Sequence, residues 1–559
     1  MIQNKWNATP CASAAALVAT AVTLACVAPA HAVELQTDNP DLSVRLDNTV
    51  RLNYGVRVEK RDDRIGNSAL SDEGDYSFDR GDAVAKRLDL LTEFDVTYRK
   101  KYGLRVSAAG WADAAYGSRG KSNPALAALA SYPNNEYSDY TKRFYRGASG
   151  EVLDAFVFGG FDIGDVPVQA KLGRHTLYWG ESLFLGGNLH SVAYAQNPLD
   201  LQKGSATPGV EAKEIFRPLN QISAQAQLSD TLSVSAQYLL EWESFRYPEG
   251  GTYLGPVDLL FNGPNRQFLS AALGFVRNGG GLEPKQHGEW GVAARWSPAW
   301  LDGTVGAYYR DFADKLPQVF LTQAAPNNSV YNLIYADKIQ LFGLSLAKNV
   351  GGVSAGAELS YRRNTPLTSQ TLGIAPGRPA EGETSGPRGD TAHALVNAVG
   401  VIGRTGLWDT ASWATELTWS HWTKVRSGAR LFNAIGFAPC VGRDKWDGCV
   451  TRNFVGFGAS FSPTWFQVFP GVDLSLPITY SRGLYGNAAT TVAGNQASGS
   501  YSIGVGADVF QKYRFDLKFV DSFGRYRTNA AGTTVATQNG TSALLGDRGF
   551  VSLTFKTTF

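Results

Sequence analysis

The residue types able to do acid–base, nucleophilic or metal chemistry are few. Beyond the N-terminal segment the histidines are His175, His190, His287, His393 and His421, and they are scattered. None forms the H-E-x-x-H spacing that would put two imidazoles on one helix face for a metal. Gly120-Lys121-Ser122 has the end of a phosphate-binding loop, but Ala115 stands where the first glycine belongs. No G-x-S-x-G nucleophile elbow occurs. A Ser–His–Asp set could still assemble from separate segments, so an esterase or lipase stays open as an alternative. The residues predict no enzyme, no cofactor and no metal site. Cys440 and Cys449 bracket "VGRDKWDG". An oxidising compartment predicts a disulfide between them, against two free buried thiols, and two cysteines alone make only half a zinc site.

The densest mixture of charge and aromatic surface is "KLGRHTLYWGESLFLGGNLHS" at 171–191, followed by "NPLDLQKGSATPGVEAKEIFRPL". It carries Arg174, His175, Trp179, Glu181, Asp200, Lys203, Glu211, Lys213 and Glu214. Opposed charges set across an aqueous opening would order water and filter solutes by charge and size. On a solvated surface loop the same residues would do nothing in particular. Trp179 reads equally as an apolar ledge beside such an opening or as an interfacial residue.

The elements that must position these residues are strands. In "LSVRLDNTVRLNYGVRV" at 42–58, apolar residues take nearly every even position and Arg45, Asp47, Arg51, Asn53 and Arg57 the odd ones. Such a period-2 pattern marks a strand whose two faces meet different media. It recurs from end to end, as in "LSVSAQYLLEW" at 232–242 and "VDLSLPITY" at 472–480. Connectors alternate between short ones, such as "IGD" at 163–165, and long polar ones, such as 115–150 and 176–218. Nine long loops between pairs of strands predict about eighteen strands (alternatively sixteen) with both termini on the short-turn side.

The N-terminus reads as an export signal: Lys5, an apolar run at 14–27, then Ala30-His31-Ala32, which predicts cleavage between Ala32 and Val33. No later apolar run approaches the ~18–20 residues of a spanning helix. The expected division is a signal peptide at 1–32, a short periplasmic segment at 33–41 and a barrel at 42–559. The pattern matches an all-β, single antiparallel transmembrane barrel of the cell outer membrane, with short periplasmic turns and long extracellular loops. In that setting the apolar face of 42–58 meets lipid, and Arg45, Arg51 and Arg57 form a basic ladder in the lumen. Trp296 and Trp300, Trp408 and Trp413, and Trp465 and Phe466 crowd strand ends as an aromatic girdle would. The formal net charge of +2 gives no long-range signal toward nucleic acid.

Gly173-Arg174, then Trp179-Gly180-Glu181-Ser182, Asn197-Pro198 and Pro208-Gly209 resemble the hallmark region of a proteobacterial outer-membrane family known as domain-of-unknown-function family 1302. His175 stands where that pattern suggests Gln. The strand "GFVSLTFKTTF" ending on Phe559 resembles the C-terminal signal read by the barrel-assembly machinery. The resemblance implies a large porin-like barrel, a periplasmic or lipoprotein partner, an efflux-type inner-membrane transporter, and hydrophobic compounds as cargo. The expected function is therefore a channel passing small hydrophobic or amphipathic molecules across the outer membrane, among outer-membrane lipids and lipopolysaccharide. A closed barrel that docks a periplasmic transport partner is the third reading.

Overall fold

In a computed structural model, residues 33–35, 37–206, 212–323, 328–370, 373–374 and 386–559 are described. The expected signal peptide, Ala32 and Glu211 lie outside them. No described helix is long and apolar enough to cross a membrane.

The chain folds as one closed, antiparallel, eighteen-stranded β-barrel. Its strands are β1 (Leu42–Arg57), β2 (Ala83–Tyr98), β3 (Tyr102–Asp113), β4 (Gly147–Ile163), β5 (Val166–His175), β6 (Leu219–Ser229), β7 (Leu232–Leu239), β8 (Trp290–Trp296) and β9 (Gly303–Phe312). There follow β10 (Ile339–Val350), β11 (Val353–Pro366), β12 (Arg388–Ile402), β13 (Thr410–Ser427) and β14 (Asn453–Phe469). The last four are β15 (Val472–Ser475, resumed at Ile478–Tyr485), β16 (Gly499–Val509), β17 (Tyr513–Phe523) and β18 (Phe550–Thr558). Each strand pairs with its neighbours in chain order, and β18 pairs with β1 from Thr49–Thr558 to Arg57–Phe550, which leaves the sheet without an edge. The short strand Val33–Leu35 pairs with Leu46–Val44, on the same side of β1 and below the point where the backbone of Phe559 bonds to Asn48.

The alternation decides which way each strand faces. On β11, Leu359 is 61% exposed and its neighbour Glu358 is 3% exposed. On β1, Leu52 and Tyr54 point outward while Arg51, Asn53 and Arg57 are buried within the lumen. Apolar side chains that would cost free energy in water are thus turned to the outside of the ring, the arrangement of a lipid-facing belt. Trp296, Trp300, Phe466, Phe469 and Phe510 stand exposed at the short-turn end, where their rings suit the membrane–water boundary.

The long loops, L1 to L9 in chain order, all lie at the opposite end. They carry a core of their own. L4, L5 and L6 share a five-stranded sheet built from Arg266–Ser270, Gly274–Leu282, Gln318–Gln323, Ser329–Ile334 and Gly373–Ile374. Phe78, Tyr116, Tyr132, Tyr137 and Tyr253 from L1, L2 and L4 form a buried aromatic cluster with Phe550. In L7 Cys440 and Cys449 are joined by a disulfide, S–S 2.03 Å.

Candidate functional site: the third loop inside the barrel

L3 (residues 176–218) touches the outer cap on one side, where Leu199 clusters with Phe245 of L4 and Leu316 of L5. It turns inward and is held against the lumenal wall, its first half through the backbone. The Glu358 carboxylate on β11 accepts from the N–H groups of Glu181 and Val192, the latter at 2.8 Å. The Glu416 carboxylate on β13 accepts from Leu183 N–H at 2.7 Å and Phe184 N–H at 3.4 Å. The complementary groups come from arginines. Arg310 on β9 donates to the carbonyls of Val192 (3.1 Å) and Tyr194 (2.6 Å), and Arg362 on β11 donates to Ser191 O at 3.0 Å. An unpaired buried charge would be costly, so these contacts satisfy wall and loop together.

Small wall residues let the loop approach. A Cβ at Gly343 on β10 would lie 2.3 Å from Val192 Cγ1, and one at Gly458 on β14 would lie 3.1 Å from the Phe184 ring. Trp179 packs with Val192, Tyr194, Tyr308, Phe312 and Leu341 in a buried cluster between loop and wall. It is 5% exposed, so it is no interfacial residue, and its edge borders a cavity below L3.

The second half of L3 is held by charge. Lys203 Nζ lies 3.2 Å from Glu151 on β4, Asp200 lies 3.1 Å from Arg246 of L4, and Lys213 pairs with Glu93 on β2. Glu214 makes a two-pronged pair with Arg51 on β1, at 2.8 and 3.0 Å. Arg51 also lies 3.6 Å from Asp89.

The expected basic ladder of β1 is thus not a row of free cations. Arg57 is enclosed by Asp75 (2.8 Å), Asp547 (3.4 Å) and the carbonyl of Phe78, and Arg45 pairs with Asp47 at 2.7 Å near the short-turn end. Glu181 sits between Ser345 Oγ (3.2 Å) and Arg295 (3.9 Å). Arg174 falls outside the group. It pairs with Asn220 and shares the outward parity of lipid-facing Leu172, and it binds Glu241 and Glu243 at the rim. Arg174 and His175 were both expected at the lumen, but adjacent residues of a strand take opposite faces, so only one of them can be. His175, one position on, faces inward, with Nε2 2.7 Å from Ser223 Oγ and Nδ1 3.0 Å from Gly173 O.

Glu358, Glu416, Arg310 and Arg362 were absent from the sequence-derived set. Their signal was available: each is a charge at an inward position of an alternating strand, Glu358 and Arg362 on the same face of β11. A second omission is the contact of His190 on L3 with His393 on β12, Nδ1 to Nδ1 at 3.1 Å. His190 Nε2 donates to Ala493 O of L8 at 2.8 Å, and Thr391 Oγ1 lies 2.8 Å from His393 Nε2. One proton arrangement satisfies the chain, with both rings neutral and His393 donating to His190. Burial depresses His190 to about 4, consistent with a neutral ring.

Beyond the strands that hold the loop, β15 and β16 present small hydroxyl residues to the lumen. Thr479 and Ser502 lie 2.7 Å apart and Ser481 and Ser500 3.1 Å apart, both pairs solvent-exposed. The exposed Leu183 and Tyr178 give L3 apolar surface of its own.

A closed ring of strands with an apolar exterior, a charged interior and its third loop folded inward defines a transmembrane β-barrel of the outer-membrane kind. The chain belongs to the family described as "Protein of unknown function (DUF1302)", which it matches over residues 13–559. No curated protein matches it. Among solved structures it is similar to OccAB4 of Acinetobacter baumannii, at 9% identity over 94% of this chain and 100% of that one, with a TM-score of 0.41. It is also similar to the outer membrane protein OpdK from Pseudomonas aeruginosa (10% identity, 92% and 98% covered, TM-score 0.39). OmpF of Salmonella typhi, in complex with daunomycin, gives 8% identity, 94% and 100% covered, and a TM-score of 0.36.

Proposed function

We propose that the chain is a porin-like channel of the outer membrane that passes small amphipathic or hydrophobic molecules, passively or with a periplasmic partner. The carrying observation is the inward third loop, anchored on several sides of the lumen, with a hydroxyl-lined wall beyond the strands that hold it. A loop fixed in that way narrows an aqueous passage without closing the ring of strands, and charged groups at the narrowing select what crosses. The combination of Leu183 and Tyr178 on the loop with Ser481, Ser500 and Ser502 on the wall suits solutes with both apolar and polar faces. The test is planar-bilayer conductance of the purified barrel with liposome flux of small solutes. Correctly folded protein that gives no current and no flux overturns the reading, and leaves the docking barrel.

One observation favours an esterase instead. His175 donates from Nδ1 to Gly173 O, which leaves Nε2 as an acceptor toward the Ser223 hydroxyl, the tautomer a general base requires. No carboxylate takes part in the His175 contacts described above. Hydrolysis of short-chain nitrophenyl esters that is lost in Ser223→Ala would carry this reading; no turnover, or turnover unchanged in that variant, removes it.

A further inference from the structure

The lumenal acids described above are matched from within the protein. Glu93 lies by Arg105 and Lys213, Glu151 by Lys203 and Arg246, and Glu358 and Glu416 are taken up by loop N–H groups. Lys171 is different. It faces inward on β5, cross-strand from Phe158 and Ser223, and is exposed. It has no carboxylate partner among the described residues; its Nζ lies 5.2 Å from the centre of the Phe156 ring. Below L3 it borders a cavity of about 500 Å³ that also touches Phe158, Gln225, Ser235 and Arg295 and is roofed by Tyr178. The lining holds Lys171 and Arg295 in the lumen, with Lys100, Lys101 and the one acid, Asp162, all at the short-turn end. Arg295 is only loosely engaged: its nearest carboxylate is 3.9 Å away and its side chain is 46% exposed.

We propose that this cavity is a binding subsite for small planar monoanions, carboxylates carried on an aromatic or similarly flat apolar body. Lys171 holds the carboxylate, Arg295 adds a second cation, and the rings of Phe158 and Tyr178 receive the body. An anion entering here meets a cation in contact with no carboxylate, on which Asp154 of β4 acts only by longer-range attraction. The size suits one small-molecule ligand, and the Gln225 and Ser235 side chains supply polar contacts to orient it. A neutral analogue keeps the ring contacts and loses the charge; a cationic analogue meets repulsion from Lys171 and Arg295. The subsite rests on the channel reading for the route by which its ligand arrives, and not for binding itself.

The test uses the full mature barrel in detergent micelles, its folding checked by heat-modifiable migration. Calorimetric titration compares 2-naphthoate with 2-naphthylmethanol and 2-naphthylmethylammonium. The acid should bind about tenfold more tightly than the alcohol, as a charge-assisted contact predicts, and the amine least. Lys171→Gln should remove most of that tenfold preference while leaving the alcohol unchanged, and Lys171→Arg should retain it. Equal binding of acid and alcohol, or wild-type acid affinity in Lys171→Gln, overturns the subsite. In bilayers the reversal potential under a salt gradient should favour anions, and Lys171→Glu should move it toward cations. If the wild type carries no current, the channel reading fails and the titration still decides the subsite.

Discussion

Substituting Glu358 tests the claim that the wall holds L3 by its backbone. The carboxylate is 3% exposed and accepts from the N–H groups of Glu181 and Val192. Glu358→Gln keeps one acceptor and turns an NH2 toward the other N–H. Glu358→Ala leaves both without a partner. A buried hydrogen bond to a charged group contributes about 1.5–3 kcal/mol, so the alanine variant should lower the free energy of releasing this half of the loop by about 3–6 kcal/mol and the glutamine variant by about half that. The other anchors, Glu416, Arg310 and Arg362, keep the loop from leaving altogether. Amide hydrogen exchange of peptides spanning 178–195 reads this directly. At 1.4 kcal/mol per tenfold, exchange at Glu181 and Val192 should quicken by about two to four orders of magnitude in Glu358→Ala. Exchange in β3 and β17 should not move, because no inter-strand hydrogen bond involves the lost side chain. Unchanged protection at both amides with Ala in place would refute the argument, since the loop would then be held by something other than this carboxylate. Equal effects of Gln and Ala would refute the two-acceptor accounting while leaving the anchor intact.

Three further outcomes are expected. Gly343→Val should push Val192 off the β10 wall, with an overpacking cost of about 1–3 kcal/mol, seen as new protease cleavage within 185–200. Leu359→Arg on the lipid face should lower barrel stability by about 2–4 kcal/mol in urea unfolding from liposomes, whereas Ser500→Arg in the open lumen should leave it near wild type. Asp72 of L1 is raised to about 8, by burial first and by Asp258 second. Its folded pKa lies above the unfolded value, so the folded cap keeps the proton and its stability falls as pH rises from about 4 to about 8. Limited proteolysis of L1 and L4 should quicken across that range and depend less on pH in Asp72→Asn.

The barrel was legible because every spanning strand separates two media, and the alternation of "LSVRLDNTVRLNYGVRV" records that directly. The nine long loops and eighteen strands follow from the rhythm of turns alone. The contents of the lumen were only partly legible. Alternation says that Arg51 and Arg57 point inward, but not that Glu214, 163 residues away in sequence, closes on Arg51. It does not reveal the five-stranded sheet of L4, L5 and L6 either, since strand pieces as short as Gly373–Ile374 are stabilised by pairing across loops rather than by their own pattern. Arg174 was misread because a motif was followed past the residue where strand parity should have decided.

The two halves of L3 are fastened by different means, and that difference shapes how the loop can change over evolutionary time. From 181 to 194 the wall grips peptide groups that every residue but proline supplies in full. Side chains there that dock against nothing, such as exposed Leu183, can be exchanged while the peptide contacts persist, whereas Phe184, His190, Val192 and Tyr194 also pack by their side chains. From 200 to 214 the grip is on Asp200, Lys203, Lys213 and Glu214 themselves, and each can change only together with its partner on another strand or loop. The loop thus joins a variable filter to a covarying hinge. Among relatives, diversity should gather at the exposed positions of the first half and paired substitutions in the second.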